Sequence, residues 1–259
     1  MKKGLIVVSF GTTVPEAEEA IRKVEGRLRN FCDDRFFLRA FTSRIICRKL
    51  RSEGRAVLSP EEALEKLAEE NVSDVIVMPT HILPGDEYEK LCRITDRYRP
   101  GFSSLRIGKP LITDRKDLFA VANCVRDHYR EDLAGEEALL LMGHGTQHIA
   151  GMTYAAMQTS FRLMGENRFY VGTVEGWPDL DDCIRQLKEA GYHTVHLAPL
   201  MLVAGDHARN DMAGEDEGSW KNRLRSEGVE VVCHLEGIGT WDSIGKCYQM
   251  HLEQIMEEL

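Results

Sequence analysis

Two stretches of the chain lie on each other without a gap at a constant offset of 120 residues. The first runs Ser59-Pro60-Glu61-Glu62-Ala63-Leu64, through Val75-Ile76-Val77-Met78-Pro79, to Leu83-Pro84-Gly85-Asp86-Glu87. The second runs Asp179-Leu180-Asp181-Asp182-Cys183-Ile184, through Val195-His196-Leu197-Ala198-Pro199, to Val203-Ala204-Gly205-Asp206-His207. Ser59 and Asp179 have the short polar side chains that cap a helix start. Glu62 and Asp182 stand where a reciprocal partner belongs, Ser59/Glu62 being the full capping-box pattern. Pro60 suits the first helical position. Apolar residues then recur at helical spacing (Ala63, Leu64, Leu67; Cys183, Ile184, Leu187). Asn71 and Gly191 stand at the helix stop, where a left-handed residue is wanted. A short apolar run follows in each copy, as a buried strand requires.

Working outward, Gly4-Leu5-Ile6-Val7-Val8 leads into Ser9-Phe10-Gly11-Thr12, and Ala138-Leu139-Leu140-Leu141-Met142 leads into Gly143-His144-Gly145-Thr146. Each reads as a buried parallel strand with its βα loop. A weaker match sets Phe36-Phe37-Leu38 on Phe169-Tyr170-Val171. Leu105-Arg106-Ile107 and the run from Val229 to Cys233 supply a fourth strand to each copy. The pattern predicts an α/β protein of two similar halves, 1–134 and 135–259, joined near Leu133-Ala134-Gly135. Each half is a four-stranded parallel sheet flanked by helices, with an active-site cleft between the halves. Ligands of open α/β sheets bind beyond the carboxyl ends of the strands.

Composition excludes several classes. With 43% hydrophobic and 29% charged residues the chain is an ordinary globular one. A net charge of −9 argues against nucleic acid or anionic membrane as a partner. No apolar run approaches a membrane span. The amino terminus lacks the long apolar core of a signal peptide. The seven cysteines are scattered, with no Cys-x-x-Cys. They predict reduced thiols in a cytoplasmic protein and argue against a thiolate metal site.

The candidate chemistry gathers at the strand ends. His144, between Gly143 and Gly145, and His207 end two different strands of the second half. Neutral imidazoles so placed bind a borderline divalent metal or accept protons near neutral pH. Glu87 occupies the position of His207, and Phe10 that of His144, in the first half. Glu175 follows the third strand of the second half, and His81 ends the strand before Glu87. Each has a bland counterpart: a turn histidine, a core histidine, or a carboxylate at a helix start. Phe10-Gly11-Thr12 lacks the lysine and glycine spacing of a phosphate loop or dinucleotide fingerprint. Arg44, Arg48, Lys49 and Arg51 form a basic cluster that is either a solvated helix face or a contact for ligand carboxylates.

The residues resemble a known family. Val7-Val8-Ser9-Phe10-Gly11-Thr12, Arg39-Ala40-Phe41-Thr42-Ser43, His81-Ile82 with Gly85-Asp86-Glu87-Tyr88-Glu89-Lys90, and Met142-Gly143-His144-Gly145-Thr146 carry the resemblance. So do Val171-Gly172-Thr173-Val174-Glu175-Gly176 and Pro199-Leu200-Met201-Leu202-Val203-Ala204-Gly205-Asp206-His207 with Asn210-Asp211-Met212. In this order they are similar to the anaerobic, class II sirohydrochlorin cobaltochelatases (CbiK type) of cobalamin synthesis. The resemblance implies the ferrochelatase-like fold and a lyase that inserts Co²⁺ into sirohydrochlorin or its precorrin-2 precursor. His144 and His207 would hold the ion, with Glu87 or Glu175 assisting. It further implies acceptance of Fe²⁺ or Ni²⁺, no organic cofactor, a cytoplasmic homo-oligomer, and tetrapyrrole contacts from Phe10, Gly11, Thr12, His81, Gly143 and Gly145. Iron insertion to give sirohaem is the nearest rival. A metal- or tetrapyrrole-binding module without turnover is a second. A histidine-dependent hydrolase is a third, for which Thr146 is the one evident nucleophile.

Overall fold

The computed structural model describes residues 2–257. The chain divides into two compact units, Met1–Thr113 with Gly239–Leu259, and Asp114–Ile238. The first holds a parallel sheet of β1 (Lys2–Ser9), β2 (Phe36–Phe41), β3 (Val72–Pro79) and β4 (Ser104–Ile107), ordered β2-β1-β3-β4. The second holds β5 (Glu137–Gly143), β6 (Phe169–Thr173), β7 (Thr194–Pro199) and β8 (Glu230–Cys233), ordered β6-β5-β7-β8. All ladders are parallel. The central strands are therefore covered on both faces, which accounts for their unbroken apolar sequence.

The repeat holds at the level of single rungs. Val8 pairs with Pro79 and Met142 with Pro199. One step beyond, the Thr80 amide donates to the Val8 carbonyl and the Leu200 amide to that of Met142, each at 2.8 Å. Both helix starts are capping boxes, in α3 (Pro60–Glu69) from Ser59/Glu62 and in α7 (Leu180–Ala190) from Asp179/Asp182, the aspartate pair closing the same ring as the Ser/Glu pair. Asn71 has φ 57° and Gly191 φ 77°, the left-handed stop in both copies.

Two points depart from the sequence reading. The weakest match slips by one residue: Phe37 pairs with Leu5 as Phe169 pairs with Leu139, so Phe169 corresponds to Phe37 and not to Phe36. Edge strands with few distinctive residues offer little to pin an alignment, whereas the ladder pins it absolutely. The offset then drops from 132 at β2/β6 to 120 at α3/α7, and the difference is taken up by α2 (Arg44–Ser52), a helix without a counterpart among the described residues of the second unit. The division by packing also differs from a cut at 134/135. Helix α5 (Arg115–Tyr129) packs on α6 (Met152–Leu163), and the terminal α9 (Asp242–Glu257) returns to α1 (Glu18–Phe31). In the first unit Tyr248 of α9 donates to the Thr80 carbonyl at 2.7 Å, and Arg106 donates to that of Ile255 at 2.8 Å. Among the described residues no helix is long and apolar enough to cross a membrane.

One face of β2 carries a buried charge network. Arg39 clamps Glu25 with its Nε at 2.8 Å and Nη2 at 2.5 Å, and reaches Glu18 through Nη1 at 2.7 Å; Arg55 pairs with Glu18 as well. Both carboxylates are almost wholly buried. Burial pushes the Glu25 carboxyl up, whereas Arg55 and Arg39 hold Glu18 low against the same burial. Removing one partner of such a set strands the others without solvent. Arg39→Met is expected to cost about 3–5 kcal/mol of unfolding free energy, read from urea denaturation. A loss below about 1 kcal/mol, the scale of surface ion pairs, would show that the network is replaceable.

Candidate functional site

The site of the second unit is built from the segments that leave β5 and β7 at their carboxyl ends. Past its last rung, β5 turns through Gly143-His144-Gly145, and β7 continues through Leu200 to a helical turn beginning at Asp206. Gly143 is required because a Cβ there would fall on the Tyr154 ring. The Tyr154 hydroxyl accepts the Gly145 amide at 3.4 Å. Gly145 has φ 86°, and a Cβ would stand 2.6 Å from the Glu175 backbone. The space at both glycines is thus taken by the protein's own atoms, which fixes the His144 backbone. The Glu175 amide completes the clamp by donating to the His144 carbonyl at 2.8 Å.

This backbone brings the His144 and His207 rings to 4.7 Å between centroids, edge to face at 88°. Each ring is oriented through Nδ1. His144 Nδ1 lies 3.1 Å from the Gly145 carbonyl, which can only accept, so the proton sits on Nδ1. His207 Nδ1 donates to the Asp211 carboxylate at 2.5 Å, one helical turn on. Both tautomers leave the Nε2 lone pair free. Imidazole Nε2 ligates a divalent ion with bonds of roughly 2.0–2.1 Å, and here two such nitrogens belong to neighbouring rings. Carboxylate-to-imidazole bonding of the Asp211 kind holds ring and tautomer for a metal and raises ligand basicity. His207 opens a five-residue π-helical turn, Ala208–Met212, a local widening that recurs at functional sites.

The sequence reading missed Asp211 as an orienting group, although its i,i+4 spacing from His207 on a helix start was the available signal. Tyr154 was missed as well, being an ordinary core aromatic by pattern. The trio of His144, His207 and Glu175 expected to hold the ion is not assembled. Glu175 is exposed, and among the described residues no three His, Cys, Asp or Glu side chains gather as a metal site. The two histidine rings are neighbours without a third such side chain to complete a metal site among the described residues. His148 is a cap, its Nδ1 accepting the Ala150 amide at 3.1 Å.

In the first unit the corresponding positions carry different chemistry. Phe10 stands where His144 stands and is 48% exposed. Gly11 has φ 99°, and a Cβ would press on the Phe41 ring. Thr12 is buried, its hydroxyl accepting the Val14 amide at 3.1 Å. Gly85 and Gly205 start equivalent helical turns, which sets Glu87, in α4 (Asp86–Tyr98), at the position of His207. Glu87 Oε2 is buried without a donor, while Oε1 lies 3.6 Å from Lys90. Both ring nitrogens of His81 are buried and unpartnered. Burial, helped by Lys90, lowers its pKa to about 4, so the ring is neutral at physiological pH.

Two outcomes are expected. Asp211→Ala, which frees His207 to rotate and take the other tautomer, should weaken binding of a divalent transition-metal ion roughly 10–100-fold in isothermal titration; an unchanged affinity would leave Asp211 as a surface partner. The unfolded chain protonates His81 between pH 6.5 and about 4 while the folded one does not, so stability falls as pH drops through that window. His81→Leu should therefore reduce the pH slope of unfolding free energy by roughly one proton. Burial lowers His234 in the same sense, so a residual slope remains. An unaltered slope would contradict the buried, neutral ring.

Comparison with known proteins places the chain in a family. Residues 3–257 match the family model of cobalt chelatase (CbiK). A sirohydrochlorin cobaltochelatase of Salmonella typhimurium is 41% identical over 99% of this chain and 97% of its own. Sirohydrochlorin cobaltochelatase CbiKC of Nitratidesulfovibrio vulgaris is 32% identical over 100% and 92%. Among solved structures, SirB from Bacillus subtilis with Fe³⁺ has a TM-score of 0.65 at 14% identity, covering 98% of this chain and 95% of that one. CbiX, a terminal enzyme of sirohaem biosynthesis in denitrifying bacteria, has a TM-score of 0.60 at 14% identity, covering 97% and 98%. These two share the fold. By the match over residues 3–257 and the identity along its full length, the chain belongs to the CbiK family of cobalt chelatases.

Proposed function

We propose that this chelatase inserts Co²⁺ into sirohydrochlorin in anaerobic cobalamin biosynthesis, as a cytoplasmic lyase without organic cofactor. The observation that carries the reading is the imidazole pair, with both Nδ1 protons engaged and both Nε2 lone pairs free. Two nitrogens leave coordination positions open, which suits a substrate ion that must be handed on. The relatives named for sirohydrochlorin support the tetrapyrrole. The same open nitrogen pair suits Fe²⁺ and Ni²⁺, which bind imidazole by the same chemistry, so supply decides among them.

Insertion requires that the ion shed water and that the ring lose its inner pyrrole protons. An Nε2 atom that ligates cannot accept a proton at the same time, so the two tasks need different groups. His144 and His207 present the ion. A carboxylate accepts the protons: Glu87, whose buried Oε2 has no donor of its own, or Glu175 on the loop beside His144. Phe10, exposed and flat, suits stacking on a tetrapyrrole face. Binding energy from the peripheral carboxylates supports the ring distortion that exposes the pyrrole lone pairs.

His144→Ala should fold normally and lower the rate of Co²⁺ insertion by at least ~10²-fold, followed by the change in the tetrapyrrole absorption spectrum. A folded variant with near-normal turnover would remove the pair from the mechanism.

A further inference from the structure

Helix α2, the element that has no counterpart in the second unit, borders a cavity of about 390 Å³ within the first unit. Its charged lining divides into groups already engaged and groups that are not. Glu62 is held in the capping box and by Arg51, which also donates to the Val57 carbonyl at 2.8 Å. Glu61 faces Arg97 at 3.8 Å. Arg44 and Arg48, one turn apart on the same face of α2, have no partner among the described residues. Two guanidinium groups at i,i+4 repel, and Arg44 adds positive charge at the positive end of the helix. The first turn of α2 contains no acid to compensate.

A second observation comes from the strand end. Thr42 is 4% exposed and lines the same cavity, yet its hydroxyl has no hydrogen-bond partner. A buried hydroxyl left unsatisfied is costly, and native structures leave few of them. Lys90 also lines the cavity, with its Nζ 3.4 Å from the Thr42 carbonyl and 3.6 Å from Glu87. Cationic donors, a free hydroxyl and apolar walls from Phe41 and Ile94 fit a carboxylate on a short aliphatic arm.

We propose that the head of α2 is a carboxylate-binding subsite, in which Arg44, Arg48, Lys90 and the Thr42 hydroxyl take a peripheral acetate or propionate arm of the tetrapyrrole. The inference rests on the tetrapyrrole reading above and names the residues that recognise its periphery. The subsite lies within the first unit, and Lys90 joins it to Glu87, the candidate proton acceptor.

The test uses the full chain and fluorescence titration with metal-free sirohydrochlorin and with its fully methyl-esterified form. R44Q/R48Q removes no hydrogen bond or ion pair among the described residues and should fold, as circular dichroism will show. It should weaken binding of the free acid at least about tenfold while binding the ester as the wild type does, and it should raise KM. Thr42→Val should weaken acid binding several-fold without lowering the melting temperature, because the hydroxyl has no partner to lose. Co²⁺ affinity measured without tetrapyrrole should be the same in all three proteins. Free-acid binding unchanged in both folded variants, or acid and ester weakened alike, would overturn the subsite while leaving the chelatase reading intact. A wild-type protein that binds neither ring form would overturn the tetrapyrrole reading and the subsite with it.

Discussion

The ladder between β5 and β7 is the constraint on which the site depends. Pro199 opposite Met142 has no amide to donate, and the Leu200 amide closes the last rung on the Met142 carbonyl. Beyond it the two chains leave the sheet side by side at its carboxyl edge. A slip by one residue would turn every side chain to the opposite face of the sheet. With both faces covered by helices, that slip would press the side chains of Leu139–Met142 and Val195–Ala198 into the wrong packing layer, at a cost of about 1–3 kcal/mol for each overpacked side chain. Core packing therefore fixes where His144 and His207 emerge. The glycines, Tyr154 and Asp211 complete the adjustment over the last few ångströms.

The first unit uses the same ladder for other ends. Val8 opposite Pro79 repeats the rung, and the chain emerges with Phe10 and Glu87 in place of the imidazoles. The corrected register places Ser43 where Glu175 stands, because the Ser43 amide donates to the Phe10 carbonyl as the Glu175 amide does to that of His144. Ser43 then caps α2, whereas Glu175 leads into a loop without that helix. One duplicated frame thus carries nitrogen donors in one copy, and an aromatic face, a carboxylate and a basic helix in the other. That division suits an enzyme that must handle both a cation and a flat, polyanionic ring.

Legibility in the sequence followed the range of the forces involved. Helix caps, left-handed stops and buried strands are local, and Ser59/Glu62, Asn71, Gly191 and the strand-ending prolines were readable one by one. The histidine pair was readable because the repeat placed both residues at strand ends. The β2/β6 alignment failed by one residue, since its apolar runs lack a marker such as proline or glycine. The packing of α5 on α6 and of α9 on α1 is decided by contacts between distant parts of the chain, on which local pattern is silent. Asp211 was visible as an acid but not as the partner of His207, because only the folded turn shows which way each ring points. The Arg39–Glu25–Glu18 network joins residues of a strand and a helix, and no spacing rule links them.

An open pair of imidazoles holds a metal less tightly than a closed site of four ligands, and that weakness is what transfer demands. The most direct measurement of this account is X-ray absorption at the cobalt edge on the wild-type protein loaded with Co²⁺. The expected spectrum shows two imidazole scatterers at roughly 2.0–2.1 Å, light oxygen donors for the remainder and no sulfur. A spectrum with cysteine sulfur in the first shell, or with oxygen donors alone and no imidazole, would contradict the claim that His144 and His207 hold the ion together.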